Sequence, residues 1–366
     1  MELDLAHMPP PPVSKDYRIG VIGAGFIVRD VQLVAYGNAG FPVHAIASRR
    51  PVEAARTAAL RGIPVVHQTW RELLEDPRVD VLDIAVPPDA QVEIIAEACR
   101  RGRHLKGILA QKPLAMNYGE ACRAVSMARE AGIPLAVNQN MRFDQSIRAL
   151  KTLLARGDLG EPVLGTIEMR AIPHWKPWVQ QYGKLTLLVM SIHHLDAFRY
   201  LFGTPASVYC SGRPDPRTKF AHRDGIVLYI LEYENGMRAS AWDDVWTGPA
   251  REGAAGDLYI KWRVEGTDGT AQGSIGWPEY PNAVPSTIRF ATKKNPGVWL
   301  APQWKEVWFP DAFAGPMGEL FSAIAEGREP ANSGRDNLDT MALLEACYRS
   351  LDEHRPVTVA EIRGEG

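Results

Sequence analysis

The feature that most constrains this chain is an alternation. Short β-rich runs at 17–22, 43–47, 65–67, 81–86, 107–110 and 134–138 are interleaved with helical stretches near 52–61, 70–76, 89–101 and 118–131, and a further helix follows at 144–156. Strands separated by helices have to be joined by crossovers, which gives a parallel sheet covered on both faces. The pattern predicts a doubly wound α/β domain over residues 17–143. Ahead of it, residues 1–16 hold Glu2, Asp4 and the run Pro9 to Pro12, and are expected to form a flexible proline-rich arm.

After the breaker cluster from Gly157 to Pro162 the text changes character. Strand-like runs at 163–172, 225–233, 237–244, 257–265, 286–291 and 304–309 are punctuated by turns, among them the hairpin pair Asn235-Gly236. One helical stripe interrupts them, carried by Leu188, Ile192, Leu195, Arg199 and Phe202. The expectation is an α+β domain over 144–310 with a large open, mostly antiparallel sheet, then C-terminal helices and a tail over 311–366. A chain of 366 residues is long enough for two such cores.

Composition narrows the function classes. With 41 basic against 43 acidic side chains the chain lacks the excess that a nucleic-acid backbone demands. Cys99, Cys122, Cys210 and Cys347 lie far apart with no C-x-x-C pair, so neither a disulfide framework nor a zinc knuckle is indicated. The N-terminus lacks the pattern of a secretory signal, and no apolar run approaches a membrane span. A cytoplasmic protein without membrane or nucleic-acid partners is expected.

Four segments can carry chemistry. Gly23-Ala24-Gly25, followed by Phe26 and Ile27, sits directly after the first strand. There Gly23 permits a tight turn and Gly25 lets the backbone approach a pyrophosphate, although Val28 stands where the fingerprint prefers Gly or Ala. After the second strand the chain reads Ser48-Arg49-Arg50 rather than an acidic residue. A carboxylate would repel a 2′-phosphate and two guanidinium groups would attract it, so NADP is expected over NAD. Gln111-Lys112-Pro113 follows the fifth strand, at the edge of a parallel sheet where ligands bind, and Lys112 can hydrogen-bond a hydroxyl or act as a base.

The fourth segment is Val189 to Asp196. On a helix, His193 shares a face with Val189, Asp196, Ala197 and Tyr200, away from the apolar stripe, and that face is free to line a cleft. An imidazole suits proton transfer from an alcohol near neutral pH. A core histidine, or a metal site from His193, His194 and Asp196, are the competing readings. Adjacent helical residues diverge by about 100°, which argues against the metal. Nine of the ten tryptophans, from Trp175 onward, fall in the second region. Trp175 and His174 are expected to offer a sugar ring a flat face and a polar contact, against the alternative of core or interface packing.

Taken in order, the Gly23-Ala24-Gly25 turn, Pro87 closing the fourth strand, Gln111-Lys112-Pro113-Leu114-Ala115, Asn138 to Arg142, the Gly157–Pro162 turn and His193-x-x-Asp196 resemble the Gfo/Idh/MocA oxidoreductases from about Tyr17 to Val357. The resemblance implies a Rossmann domain, a second domain whose open sheet makes homo-oligomer contacts in a dimer or tetramer, and a nicotinamide cofactor. It further implies a sugar, glycoside or cyclitol substrate. It gives the catalytic roles to Lys112 and His193. Pro87, Gln91, Gln111 and Lys112 fall at its cofactor positions, and Lys112, Asn138, Arg142, His193 and His194 at the substrate. Three departures stand out: Gln111 replaces a glutamate, Val189 replaces the acid that often completes the proton relay, and Gln91 replaces a histidine.

The leading expectation is thus an NAD(P)-dependent dehydrogenase or reductase acting on a secondary alcohol, with no metal. A redox-silent nucleotide sensor and a redox-assisted glycoside-cleaving enzyme are the alternatives.

Overall fold

The computed structural model describes residues 4–171, 176–245, 258–276 and 282–365. The chain divides into two compact units, one made of Pro9–Asn140 and Phe309–Met341, the other of Met1–Met8, Met141–Trp308 and Ala342–Gly366.

In the first unit six strands, β1 (Ile19–Ile22), β2 (Val43–Ala47), β3 (Val65–His67), β4 (Val81–Ile84), β5 (Gly107–Ala110) and β6 (Leu135–Val137), form a sheet in the order β3-β2-β1-β4-β5-β6. Every pairing is parallel. That order, with helices in the crossovers, is the Rossmann arrangement. β1, β4 and β5 are buried at all positions, which is why they carry no charged residue except Asp83 on β4. Helix starts are set locally: Thr69 and Asn117 accept from the backbone N–H of Glu72 and Glu120 at 3.2 and 2.9 Å, and Pro51 and Pro88 open their helices. The helix Ala314–Glu326, remote in sequence, adds Met317, Leu320 and Phe321 to a core built on Val21, Tyr36, Ile46 and Leu109. Each such side chain is worth about 1.5–3 kcal/mol of burial.

The second unit holds an eight-stranded sheet of β7 (Pro162–Ala171), β8 (Ser207–Arg213), β9 (Ile226–Glu232), β10 (Arg238–Val245), β11 (Tyr259–Gly266), β12 (Gly269–Ile275), β13 (Thr287–Thr292) and β14 (Val357–Thr358). Their order is β13-β12-β11-β7-β10-β9-β8-β14, antiparallel except where β7 meets β10. Alternate residues such as Ile167, Ala239, Tyr229 and Trp262 are buried, whereas Tyr209, Leu228 and Ile230 point outward at 41%, 52% and 47% exposure. The helix Gln145–Ala155 begins at Asp144, whose carboxylate accepts from the N–H groups of Ser146 and Ile147.

Two expectations change here. The proline-rich arm is packed. Leu5 is 1% exposed, His7 stacks on Trp304 at 5.1 Å between centroids, Arg156 donates to the Asp4 carbonyl at 2.7 Å, and the N–H of Val13 donates to Ser322 Oγ at 3.3 Å. Its few apolar and polar groups find partners that its composition conceals. The segment 304–309 is not a strand; prolines at 302 and 310 bracket it, and it contributes one isolated bridge, Pro285 to Val307. Among the described residues no helix is long and apolar enough to cross a membrane.

Candidate active site

The glycine turn is built for close approach. Gly23 has φ +133°, and a Cβ there would lie 2.3 Å from the Ala85 carbonyl oxygen, so only glycine fits. At Gly25 a Cβ would meet nothing within 4 Å. Open space beside a strand-to-helix turn is the cradle a pyrophosphate requires, and the residues present fit a dinucleotide. Phe26 is half-exposed at the turn, and the residues Ile27–Gln32 after it form a wide π-type helical turn that buries Val28, so the bulkier third position is accommodated. Beyond β2, Ser48 Oγ accepts from the N–H of Arg50 at 3.3 Å, and Arg49 and Arg50 are exposed.

The lysine turn lies past β5. Gln111 donates its N–H to the Ile84 carbonyl at 2.9 Å, continuing the ladder to β4 by one residue, and Lys112 follows. The Lys112 side chain is partly exposed, yet burial around its ammonium lowers its pKa from 10.5 to about 7. The turn is braced from below by Gln91 on the helix Pro88–Arg101, whose first residue follows Pro87. Gln91 Nε2 donates to the carbonyls of Gln111 and Pro113 at 2.9 and 2.7 Å, and its Oε1 accepts from Gln111 N–H at 2.7 Å. With both ends of its amide so used and no exposed surface, Gln91 is a brace for the lysine turn rather than a cofactor contact.

Asn138 follows β6 and is fully buried, with neither amide atom hydrogen-bonded. A buried amide in that condition has donor and acceptor capacity to offer.

In the second unit, the helix Ile192–Phe202 carries His193 and His194 on different sides. His193 is 6% exposed, with its ring edge-to-face against Trp308 at 5.9 Å. His194 Nδ1 is 2.9 Å from Asp243 Oδ1 on β10, and Ser191 donates to the other oxygen of that carboxylate. Expected at the substrate, His194 is instead packed against the sheet. Arg142 is likewise reassigned. It donates to both oxygens of Asp196 at 2.6 and 2.7 Å, lies over the Tyr200 ring, and is nearly buried. Asp196 and Tyr200 on this helix thus both contact Arg142. Among the described residues no group of three or more His, Cys, Asp or Glu is placed to hold a metal ion. His174 and Trp175 lie outside the described residues.

Several polar residues were not singled out from sequence. Asp83 on β4 is 1% exposed and accepts from Tyr36 Oη at 2.8 Å and Gln32 Nε2 at 3.0 Å; burial raises its pKa to about 7. The available signal was a charged residue inside the buried run Val81-Leu82-Asp83-Ile84. Trp308, Asp243 and Ser191 carried no comparable mark.

Residues 17–139 match a family model described as oxidoreductase family, NAD-binding Rossmann fold, and residues 151–359 match that family's C-terminal alpha/beta domain. A D-apiose dehydrogenase of Paraburkholderia graminis is 24% identical over 96% of this chain and 92% of its own length. An inositol 2-dehydrogenase of Rhizobium meliloti is 26% identical over 94% of this chain and 99% of its own. In fold, the chain is similar to a levoglucosan dehydrogenase solved with NADH, with TM-score 0.80 and 21% identity over 94% of this chain and 99% of that one. With both of its regions matched in order, the chain belongs to the Gfo/Idh/MocA family of oxidoreductases.

Proposed function

We propose that the protein is an NADP-linked dehydrogenase, or a reductase in the opposite direction, acting on a secondary alcohol of a sugar, glycoside or cyclitol. The observation that carries this reading is Lys112, whose pKa burial brings to about 7 just beyond the carboxyl end of a parallel strand. When bound, the nicotinamide supplies the hydride acceptor or donor. Lys112 holds the reacting oxygen and polarises it, and His193 takes the hydroxyl proton on oxidation and returns it on reduction. Gly23 and Gly25 seat the pyrophosphate with Phe26 and Ile27, and Pro87 and Gln111 shape the adjoining wall. Ser48, Arg49 and Arg50 receive the 2′-phosphate; the exposure of both arginines supports this. Asn138 hydrogen-bonds the substrate.

The outward apolar side chains of Tyr209, Leu228 and Ile230 support assembly of copies through the open sheet, as a dimer or tetramer. We place the protein in the cytoplasm. The polyol and sugar substrates named for the two dehydrogenases support the substrate class. The test is a panel of sugars, glycosides and cyclitols incubated with NAD⁺ or NADP⁺ while reduced nicotinamide is followed. Reduction with a cyclic polyol, faster with NADP⁺, is the expected result; no reduction with any member, in either direction, would refute the reading.

A further inference from the structure

The first unit contains a line of polar side chains that ends at Lys112, and its members Gln32, Tyr36 and Asp83 lie outside the site already described. The backbone N–H of Lys112 donates to Gln111 Oε1 at 3.1 Å, and Gln111 Nε2 donates to Gln32 Oε1 at 3.3 Å. Gln32 Nε2 donates to the Asp83 carboxylate at 3.0 and 3.3 Å, and Tyr36 Oη donates to the same group at 2.8 Å. Gln32, Tyr36 and Asp83 are each at most 1% exposed.

Every donor in this line points the same way. An amide has one donor end and one acceptor end, so each link fixes the orientation of the next only if something fixes the last. The Asp83 carboxyl accepts from both the Gln32 amide and the Tyr36 hydroxyl, and it terminates the series. It therefore holds Gln32 with its oxygen toward Gln111, and Gln111 with its oxygen toward the Lys112 N–H. The arrangement joins the helical segment after the glycine turn, the middle of β4 and the turn after β5, none of them adjacent in sequence. Holding the fold together does not require a carboxylate there: apolar side chains at 32, 36 and 83 would pack at lower cost, because burying a carboxylate that no described cation pairs with is unfavourable.

We propose that Asp83 is a positioning residue for Lys112, acting through Gln32 and Gln111 on the lysine backbone. The inference rests on the catalytic role proposed for Lys112. It makes the depth at which the ammonium sits a property of the line rather than of the turn alone. Cutting the line at Gln32 frees Gln111 and lets the lysine turn relax toward solvent.

The test follows the lysine itself and needs no substrate. Intact protein is treated with trace acetic anhydride between pH 6 and 10, and acetylation of the peptide containing Lys112 is quantified by mass spectrometry. The parent should titrate with a midpoint near the value that burial gives, about 7. Gln32→Met keeps the volume and leaves the Tyr36–Asp83 bond in place; its midpoint should rise by about one unit or more, equivalent to a loss of Lys112 reactivity of roughly fivefold or more at pH 7. Asp83→Asn should move the midpoint in the same direction, and the double variant should move it no further than Gln32→Met does. A purely structural line would lower the melting temperature and leave the midpoint alone, which would overturn the proposal, as would an Asp83→Asn shift that persists undiminished in the Gln32→Met background. Should Asp83→Asn not fold, Gln32→Met decides alone. Turnover of Lys112→Ala, measured beside these, separates the two levels. A full rate there removes the catalytic reading, whereas a lost rate with an unmoved Gln32→Met midpoint removes only the positioning.

Discussion

Two cations, one in each unit, have opposite characters. Arg142 in the open-sheet unit is clamped by both oxygens of Asp196 and covered by Tyr200, an arrangement that keeps a guanidinium charged and immobile. Lys112 in the Rossmann unit has its pKa lowered to about 7 by burial, which brings an amine into the range where it exchanges protons at neutral pH. The difference teaches how to read a buried charge in this protein. One clamped by a carboxylate organises the fold, and one whose charged form burial disfavours is the one proposed for chemistry. The two histidines differ in what they touch, His194 lying beside Asp243 and His193 against the ring of Trp308.

The comparison can be broken at several points. The largest effect is expected at Lys112 and His193: either one replaced by Ala should lose turnover by roughly 10²–10⁴-fold while cofactor affinity, read by fluorescence titration, stays near that of the parent. Arg142→Ala should behave in reverse. Leaving Asp196 buried and uncompensated costs about 3–5 kcal/mol of stability, seen in denaturant unfolding, with the kcat of the folded fraction retained. Smaller again is cofactor choice: Arg49→Ala should narrow the preference for NADP over NAD by about 1.5–3 kcal/mol in Kd, the worth of one charge-assisted contact.

A pH dependence follows from Asp83. The pKa of Asp83 is raised from 3.8 to about 7, so between those values the folded protein holds a proton that the unfolded chain has lost. Its contribution to stability is full below pH 3.8 and disappears as the pH rises through about 7. The melting temperature of the parent minus that of Asp83→Asn should accordingly be greater at pH 5 than at pH 8.

Much of the Rossmann unit was legible because a strand buried on both faces has to be apolar throughout, and glycine or proline marks its ends. β8 and β12 were missed for the opposite reason. Ser207–Arg213 and Gly269–Ile275 are rich in Ser and Gly, and at Gly273 a Cβ would strike the Trp262 ring 2.5 Å away, so the strand is small where the indole covers it. Conversely, Trp304 to Phe309 has the composition of a strand, yet among the described residues it makes one isolated bridge rather than a ladder. In the site, the glycine turn and Lys112 were legible as local patterns. The Arg142–Asp196 pair and the line from Asp83 to Gln111 were not, since their members come together from residues 54 and up to 79 positions apart and no spacing announces them.

The central claim, that burial makes Lys112 the oxygen-holding group of an oxidoreductase and brings its amine into the range where it can share the hydroxyl proton with His193, is tested most directly by the pH profile of kcat/KM for alcohol oxidation in the parent and in Lys112→Arg. A guanidinium keeps the positive charge and cannot be made neutral at these pH values. The account predicts a parent rate that climbs through about pH 7, and a Lys112→Arg variant slower by at least roughly 10²-fold across the range, with cofactor binding intact. A Lys112→Arg enzyme that turns over at the parent rate with the parent profile would contradict it.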